Sequence, residues 1–342
     1  MILVCGGAGY IGSHMCKRLA RDGHEPIVFD NLSTGHEWAV KWGPLVRADL
    51  LDAGAVRNVF RAYPIDAVMH FAAHSSVGES LRDPDSYFRT NVTGTRNLLD
   101  AMRESGVSKL VFSSTAAVYG DPLYNPVDEA HACAPISPYG WSKLMAERAI
   151  EEYCSAGDMR AVSLRYFNAA GADAEGEIGE SHDPETHLIP SLIRAALDPS
   201  SGPMQIFGND YETLDGSCVR DYVHVDDLCN AHLLALEYLA QGSAYRTFNL
   251  GSGRGYSVAE VLAVCRKLCN GQPGAEFVAR RPGDPASLVA SSAAAASVLG
   301  WKPAFALPDC MSTALAWQRK IAAERRSRMQ VSPSRHESAM SG

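Results

Sequence analysis

Short apolar runs alternate with helix-forming segments over the first 170 residues, and this order constrains the fold more than any other feature of the sequence. The runs show little alternation of apolar with polar residues and end in turn or helix signals, as expected for strands covered on both faces. The predicted strands are 1–5, 25–30, 45–48, 67–71, 109–113 and 160–166, and the predicted helices between them cover about 11–23, 52–63, 86–105 and 138–156. This order predicts an α/β fold with a doubly wound parallel sheet.

The regular order breaks after Gly171, where polar segments and loops rich in Gly, Asp and Pro follow. Later helices are predicted over 188–197, 226–240 and 257–269, with a short strand at 247–250. We therefore expect a second, smaller α/β domain in the C-terminal part of the chain. The predicted division is 1–171 for the first domain with 221–250 packing back onto it, 172–220 and 251–323 for a substrate-binding domain, and 324–342 for a flexible tail.

Composition excludes several classes of protein. The 342 residues carry a formal net charge of −8, which argues against a general nucleic-acid or membrane-surface binder. The sequence contains no apolar run that approaches the roughly 18 residues needed to cross a bilayer. The nine cysteines form no CxxC pair, and the chain starts without a basic segment of the secretory type. We therefore expect reduced thiols and a cytoplasmic location, with no metal site.

A glycine-rich turn follows the first predicted strand and opens the first predicted helix. Gly6, Gly9 and Gly12 fit a dinucleotide-binding fingerprint, in which the backbone approaches a pyrophosphate at a helix N-terminus, as in Rossmann folds. Asp30 ends the second predicted strand, where a carboxylate accepts hydrogen bonds from ribose hydroxyls and repels a 2′-phosphate. Asn31 beside it supplies no positive charge, so NAD is favoured over NADP. The alternative is a glycine-rich turn that binds no ligand.

Two further segments end predicted strands at the same edge of the sheet. Asp49 and Leu50 are expected beside the adenine, and Phe71, Ala72 and Ala73 near the pyrophosphate. From spacing alone, both segments are equally consistent with plain packing.

A phenol and an ammonium group lie at positions i and i+4 of the predicted helix 138–156. Tyr139 and Lys143 therefore share a helix face. An ordinary tyrosine has a pKa near 10, and both a nearby lysine and a nicotinium charge favour the phenolate, which makes proton abstraction at neutral pH feasible. Ser113 and Thr115 end the fifth strand beside this pair, and the Thr115 hydroxyl can hydrogen-bond to a substrate oxygen. A surface pair that shares a helix face by chance is the alternative.

Several sequence blocks together resemble the extended short-chain dehydrogenase/reductases, the NAD-dependent epimerase/dehydratase family, and within it the UDP-glucose (UDP-galactose) 4-epimerases. The resemblance runs from residue 1 to about 320. The blocks are the glycine loop, 113–120, 139–143, 165–168, 206–211, 220–225 and 280–284. It implies NAD-dependent 4-epimerisation of a UDP-hexose through a transient 4-keto sugar, with NAD as electron sink and no metal.

The resemblance also implies residue roles. Tyr139 is the base and later the acid, Lys143 lowers its pKa and binds the nicotinamide ribose, and Thr115 takes the position of the catalytic Ser/Thr. Further contacts to NAD are implied for Tyr10, Ile11, Asn91, Ser113 and Tyr166.

Substrate contacts follow from the same resemblance. Arg220 and Arg281 match diphosphate-binding arginines, whose guanidinium groups suit phosphate oxygens. Asp284 is expected at the uridine ribose and Asn168 at the sugar nucleotide. The remaining implied substrate contacts are Phe207 near the uracil pocket, His187, Leu188 and Leu288.

Three positions depart from other family members. His187 stands where some carry Asn, and Ser75 replaces a lysine seen near the cofactor phosphates. Leu288 stands where some carry a bulky Tyr, which predicts room for a 2-acetamido group and some activity on UDP-N-acetylhexosamines. A UDP-pentose 4-epimerase is an alternative to the hexose enzyme.

Two other functions are weighed. A nucleotide-sugar 4,6-dehydratase on this fold uses an Asp-Glu pair where this chain has Ala116 and Ala117, which cannot transfer protons. A non-catalytic NAD-binding regulator has no use for Thr115, Tyr139 and Lys143 together. The family resemblance further implies a homodimer that pairs through the helices predicted at 86–105 and 138–156, with apolar candidates Val92, Leu98, Leu99, Met102, Leu144, Ala149 and Ile150.

Overall fold

The computed structural model describes residues 1–198, 200, 202–242, 244–269, 273–281 and 283–331. The strands are β1 (Ile2–Cys5), β2 (Pro26–Asp30), β3 (Leu45–Arg47), β4 (Ala67–His70), β5 (Lys109–Thr115), β6 (Arg160–Tyr166), β7 (Asn168–Ala170), β8 (Met204–Phe207), β9 (Val219–His224), β10 (Arg246–Leu250), β11 (Gly255–Ser257), β12 (Ala275–Val278) and β13 (Ser287–Leu288). The helices are α1 (Tyr10–Arg21), α2 (Ala53–Ala62), α3 (Val77–Ser80), α4 (Pro84–Tyr87), α5 (Gly94–Glu104), α6 (Pro138–Ser155), α7 (Leu188–Leu197), α8 (Val225–Ala240), α9 (Val258–Cys269) and α10 (Leu307–Val331).

A seven-stranded parallel sheet in the order β10-β6-β5-β4-β1-β2-β3 forms the centre of the molecule. Its strands are buried apolar runs, because helices cover both faces. The faces form two cores, one under α1 and α8 and the other under α2, α5 and α6. The predicted doubly wound α/β fold is confirmed. The strand order reverses between β1 and β4, and in such sheets ligands bind beyond the carboxyl ends of the strands at this point.

The C-terminal part adds a smaller α/β layer. Strand β9 pairs with β11, β13 and β7, while β8 pairs with β12 in a separate two-stranded sheet. A third core joins these strands to α7, α9 and α10. Strand β10 pairs with β6 in the central sheet. The division into two domains stays a prediction.

The structure adds strands that the sequence did not predict, such as β8, and it differs from the prediction at the helix 86–105 and at the tail. The predicted helix 86–105 is divided into α4, a π-helical turn at Phe88–Thr93 and α5. The tail predicted from 324 is wrong in its first part, because α10 continues to Val331; residues 332–342 lie outside the described residues. In the described part of the chain, the helices are too short or too polar to cross a membrane.

Candidate active site

A cleft of about 1050 Å³ opens at the carboxyl ends of the central strands and continues to the smaller layer. Most residues singled out in the sequence line it. They are Gly6, Gly9, Tyr10, Ile11, Gly12, Asp30, Asn31, Asp49, Leu50, Phe71, Ala72, Ala73, Ser113, Thr115, Tyr139, Lys143, Tyr166, Asn168, His187, Arg220, Arg281, Asp284 and Leu288. Asn91, Leu188 and Phe207 are not part of this lining.

The glycine loop is a tight cradle that side chains would fill. Gly6 has a φ of +79°, and a Cβ there would lie 2.6 Å from the backbone nitrogen of Ala72. A Cβ on Gly12 would lie 2.1 Å from the carbonyl oxygen of Gly6. Gly9 precedes α1, and among the described residues no side chain caps this helix. Its first N–H groups are therefore free for an anion, so the loop fits the pyrophosphate of a dinucleotide.

Two backbone N–H groups hold the carboxylate of Asp30 in place. Its carboxylate accepts hydrogen bonds from the backbone N–H groups of Ala8 at 3.0 Å and Leu32 at 2.8 Å. Burial raises the pKa of this carboxyl, and the two backbone donors partly offset that effect. Asn31 donates to Asp49 at 2.8 Å, which joins the ends of β2 and β3 at the cleft. The carboxylate is thus held where ribose hydroxyls would reach it.

The phenol and the ammonium group lie in the first two turns of α6. Ser137 accepts a hydrogen bond from the N–H of Gly140 at 3.2 Å and so begins the helix. Lys143 is buried, and its Nζ donates to the Ser113 carbonyl at the end of β5 at 2.9 Å. Burial lowers the pKa of Lys143 to about 7. The pair is therefore attached to the strand that carries Thr115.

Burial raises the pKa of Tyr139, and a hydrogen bond with the Thr115 hydroxyl acts against this shift. Desolvation of the phenolate outweighs this hydrogen bond, so the net shift of the Tyr139 pKa is upward. The lowering of this pKa by Lys143 together with a nicotinium charge stays a prediction.

Asn91 positions the cleft wall instead of lining it. Its side chain accepts from the His74 N–H at 2.8 Å and donates to the His74 carbonyl at 3.0 Å. It also donates to Ser142 on α6 at 2.9 Å. The π-helical turn that holds Asn91 thereby joins the segment after β4 to the helix that carries Tyr139. Such turns often occur at functional sites.

Tyr166 closes the inner end of the cleft. Its hydroxyl lies 2.5 Å from Nε2 of His232, whose ring packs 4.7 Å from the Phe71 ring. Burial raises the pKa of Tyr166 and lowers that of His232 to about 4, so both groups stay neutral. This uncharged, aromatic part of the cleft suits a planar ring of a bound ligand.

Two arginines lie at the opposite end of the cleft. The guanidinium of Arg220 donates to the Pro285 carbonyl at 2.7 Å and lies 3.5 Å from Asp284. The guanidinium of Arg281 lies 4.1 Å from the centre of the Phe207 ring, which supports it from behind. This arrangement presents two positive charges to an anionic ligand.

Leu288 and Asn168 also line the cleft. Leu288 is opposite Arg220 in the β9–β13 pair and packs on the cluster that contains Phe167 and Ala116. Asn168 begins β7. Ala116 and Ala117 follow Thr115 in a 3₁₀ turn and line the cleft with methyl groups, which carry no transferable proton.

Sequence reasoning missed a charged cluster beside His187. The Nδ1 atom of His187 lies 2.6 Å from Glu180, and that of His182 lies 3.3 Å from the same oxygen. Burial disfavours the charged rings, but Glu180 and Glu185 outweigh it and raise the pKa of His182 to about 9 and of His187 to about 10. The spacing Glu-x-His-x-x-Glu-x-His over 180–187 was the available signal. Leu188 follows in α7 and packs against the third core.

Comparison with known proteins gives consistent findings. Residues 2–251 match the model of the NAD dependent epimerase/dehydratase family. The chain is 48% identical over 319 residues to a UDP-glucose 4-epimerase from Rhizobium leguminosarum bv. trifolii, covering 93% of this chain and 97% of that protein. A Brucella ovis UDP-glucose 4-epimerase solved in complex with NAD has a TM-score of 0.89 at 46% identity, over 93% of this chain and 98% of that one. A Stenotrophomonas maltophila UDP-glucose-4-epimerase with bound NAD and formylated UDP-arabinopyranose has a TM-score of 0.90 at 39% identity, over 94% and 99%.

Proposed function

The chain belongs to the NAD dependent epimerase/dehydratase family, and we propose that Tyr139, Lys143 and Thr115 are the catalytic residues of its reaction. The reaction is the NAD-dependent 4-epimerisation of a UDP-hexose, the interconversion of UDP-glucose and UDP-galactose, and the protein is an isomerase. One observation carries the assignment: the three side chains meet at the end of β5, in the cleft that the glycine loop and the two arginines also line.

The glycine loop, Asp30 and the 71–73 segment would hold NAD along the ends of β1, β2 and β4. When bound, NAD supplies a reversible hydride acceptor for carbon 4 of the sugar. Tyr139 removes the proton of the sugar 4-hydroxyl and later returns it. Thr115 hydrogen-bonds to the same oxygen, and Lys143 keeps the site oriented through Ser113.

The arginine end of the cleft would hold the nucleotide. Arg220 and Arg281 neutralise the diphosphate, since guanidinium groups donate in pairs to phosphate oxygens. Asp284, already beside Arg220, accepts from the uridine ribose. Asn168 and His187 contact the sugar nucleotide from the two sides of the opening. Leu188 and Phe207 would act from behind, as supports for His187 and Arg281.

The pocket would also admit larger sugars. Leu288 is shorter than a tyrosine, which leaves space for a 2-acetamido group, so we propose activity on UDP-N-acetylhexosamines as well. A UDP-pentose is a second candidate, since the Stenotrophomonas maltophila relative was solved with formylated UDP-arabinopyranose. Elimination of water from the sugar would need a proton donor where Ala116 and Ala117 stand.

The assembly we propose is a homodimer that pairs through α6. Most of the apolar candidates from the sequence are core residues: Leu98, Leu99, Met102, Leu144 and Ile150 are buried within the chain. Trp141 and Met145 lie one turn apart on α6 and are 47% and 46% exposed. They would form the centre of the contact. Nine free cysteines agree with the proposed cytoplasmic location.

A panel of UDP-sugars tests the function. Purified protein without added NAD is incubated with UDP-glucose, UDP-galactose, UDP-N-acetylhexosamines and UDP-pentoses, and the epimers are resolved by chromatography. We expect epimers of unchanged mass, with deuterium placed at carbon 4 retained in the product. Loss of 18 mass units would show a dehydratase instead. Exchange of that deuterium with solvent, or no epimer from any sugar, would contradict the proposal.

A further inference from the structure

Four side chains converge on one point at the edge of the cleft: Glu180, His182, Glu185 and His187. One nitrogen or oxygen from each lies within 4.8 Å of the corresponding atom of every other. The side chains of Glu180 and Glu185 are only 7% and 4% exposed, whereas His187 is half exposed toward the cleft. The point is thus enclosed on the carboxylate side and can be reached from the cleft.

The distances are close to those of a tetrahedral metal site. Zinc bonds of roughly 2.0–2.2 Å to nitrogen and oxygen place neighbouring ligand atoms roughly 3.3–3.5 Å apart. The His182 Nδ1 atom lies 3.3 Å from Glu180 Oε1 and 3.8 Å from Glu185 Oε1. The His187 Nδ1 atom lies 3.5 Å from Glu185 Oε1. The fourth His–Glu pair, His187 with Glu180 at 2.6 Å, has to separate by less than 1 Å. The ligand atoms of the His–His and Glu–Glu pairs lie within 4.8 Å of each other.

Two buried atoms of this cluster lack hydrogen-bond partners in the described part of the chain. One is Nδ1 of His182, which lies within ion-pair range of Glu180 without the alignment of a hydrogen bond. The other is Oε2 of Glu185, which lies 3.6 Å from the guanidinium of Arg194. Buried polar atoms are nearly always paired, because an unpaired one costs stability. A bound cation would satisfy the imidazole nitrogen directly.

Hydrogen bonds to the backbone carbonyls of Glu180 and Ser181 hold the first part of this segment in place. The carbonyl of Glu180 accepts from Trp317 Nε1 at 3.0 Å and from Gln318 at 3.3 Å. The next carbonyl, that of Ser181, lies 2.6 Å from Nε2 of His36. Support of this kind from a second layer orients ligand side chains in metal sites.

A turn holds the second part of this segment, Glu185 to His187, in place. Oε1 of Glu185 accepts from the backbone N–H groups of Thr186 and His187, each at 3.0 Å. The carboxylate is thereby fixed on the same side as the two imidazoles. The ring centres of His182 and His187 are 5.2 Å apart and inclined at 60°, so neither ring covers the other.

We propose that Glu180, His182, Glu185 and His187 bind one divalent transition-metal ion, with zinc as the best match. Metal binding would release the protons of the two imidazoles; the neutral rings and the two carboxylates then carry a charge of −2, which one dication neutralises. Imidazole ligands favour zinc, cobalt or nickel over magnesium and calcium, which prefer oxygen. The cluster lines the same cleft as Tyr139, and His187 is also a proposed substrate contact, so the test below measures metal binding alone and does not depend on epimerase activity.

Cobalt is the probe that tests it, since tetrahedral Co²⁺ with nitrogen and oxygen ligands gives a visible absorption that hydrated Co²⁺ lacks. The full chain, prepared without a histidine tag and dialysed against chelator, is titrated with Co²⁺ and then with Zn²⁺. We expect one cobalt per chain, a tetrahedral spectrum, and loss of that spectrum when zinc displaces the cobalt. Magnesium should not displace it.

Variants separate this site from surface binding. His182→Ala and Glu185→Gln should each weaken cobalt binding at least tenfold and abolish the tetrahedral spectrum. Glu175→Gln, in the acidic group Asp173, Glu175 and Glu177, and His24→Ala, at an exposed position, are the controls that should retain both. Circular dichroism verifies that each variant is folded. An octahedral spectrum, no binding, or a spectrum unchanged in folded His182→Ala and Glu185→Gln would overturn the proposal.

Discussion

Tyr139 and Lys143 lie one turn apart on α6, and burial moves both toward their uncharged forms. It raises the pKa of the phenol and lowers that of the ammonium to about 7, because a charge is costly away from water. A positive charge on the nicotinamide ring would act in the opposite sense on the phenol and favour the phenolate. Proton abstraction by Tyr139 would therefore be favoured only while oxidised NAD is bound.

Replacement of the phenol hydroxyl tests the role of Tyr139. We expect Tyr139→Phe to lower the epimerisation rate by about 10²–10⁴-fold, the usual contribution of a general acid–base group. The bound NAD and the thermal unfolding midpoint should not change. Tyr153→Phe, on the same helix but hydrogen-bonded to Asp100, is the control that should keep its rate. A Tyr139→Phe rate within tenfold of the wild type would remove Tyr139 from catalysis.

Leu288 tests the size of the sugar pocket. We expect Leu288→Tyr to lower kcat/KM for UDP-N-acetylhexosamines about 10–200-fold more than for UDP-glucose, because the larger ring occupies the space of the acetamido group. Both activities are measured by separation of the epimers. Leu288→Met keeps the volume similar and should preserve the ratio. Equal losses on both classes of sugar would contradict this role.

At the scale of elements, the glycine loop and α1 form one unit with the segment after β4. A methyl group on Gly12 would collide with the Gly6 carbonyl oxygen, so we expect Gly12→Ala to displace the loop and to reduce the NAD retained per chain at least tenfold. Retained NAD is measured after acid release. Gly78→Ala, where an added methyl meets no atom within 4 Å, is the control. Full NAD content in Gly12→Ala would show that the loop does not hold the cofactor.

The sequence predicted the central elements well, because buried parallel strands are short apolar runs with clear ends. The predicted strands 67–71 and 109–113 correspond to Ala67–His70 and Lys109–Thr115. The π-helical turn at Phe88–Thr93 was not predictable, since it depends on the contact of Asn91 with His74. The pairing of β8 with β12 joins segments about 70 residues apart and leaves no local signal.

The candidate site shows the same limit. Residues at strand ends and in the glycine loop could be placed from the sequence, because the sheet fixes where strands end. Phe207 and Asn91 were named only through the family resemblance, since no local pattern predicts that Phe207 contacts Arg281 or that Asn91 bonds to Ser142. The Glu–His cluster beside His187 likewise depends on a turn that brings Glu180 and Glu185 to the same point.

At the scale of the whole molecule, buried imidazoles make stability depend on pH. Burial lowers the pKa of His70 to about 3 and those of His14, His224 and His232 to about 4. Between these values and the ordinary value of about 6.5, the unfolded chain binds more protons than the folded one. The contribution of these groups to stability therefore falls as pH decreases through this window.

Replacement of one buried histidine tests whether stability falls as the pH decreases. Below pH 6.5, we expect the free energy of unfolding of His70→Leu to increase relative to that of the wild type, by about 1.4 kcal/mol for each unit by which the pH is lowered. Urea unfolding at pH 7, 6 and 5 measures the difference. His24→Leu, at an exposed position, should show a constant difference. A constant difference for His70→Leu as well would mean that the pKa of this imidazole is the same in the folded and the unfolded chain, against the lowered value.

The exposed face of α6 is the contact that we propose for the homodimer. A stable dimer buries roughly 800 Å² on each partner around an apolar centre, and Trp141 with Met145 offers such a centre. We expect the wild type to sediment at micromolar concentration with twice the 36.8 kDa mass of one chain. The double variant Trp141→Glu/Met145→Glu should sediment as a monomer, because the two introduced charges would be buried in the contact without partners.

Trp38 is the matched control for this experiment. Its side chain is 43% exposed and packs on His36 and Trp317. None of these three residues belongs to α6. Trp38→Glu removes an exposed tryptophan of similar area, so it should sediment like the wild type. A monomeric wild type would refute the dimer. A dimer that survives both changes on α6 would instead place the contact on another face, and the active site at the start of this helix would then have no connection with assembly.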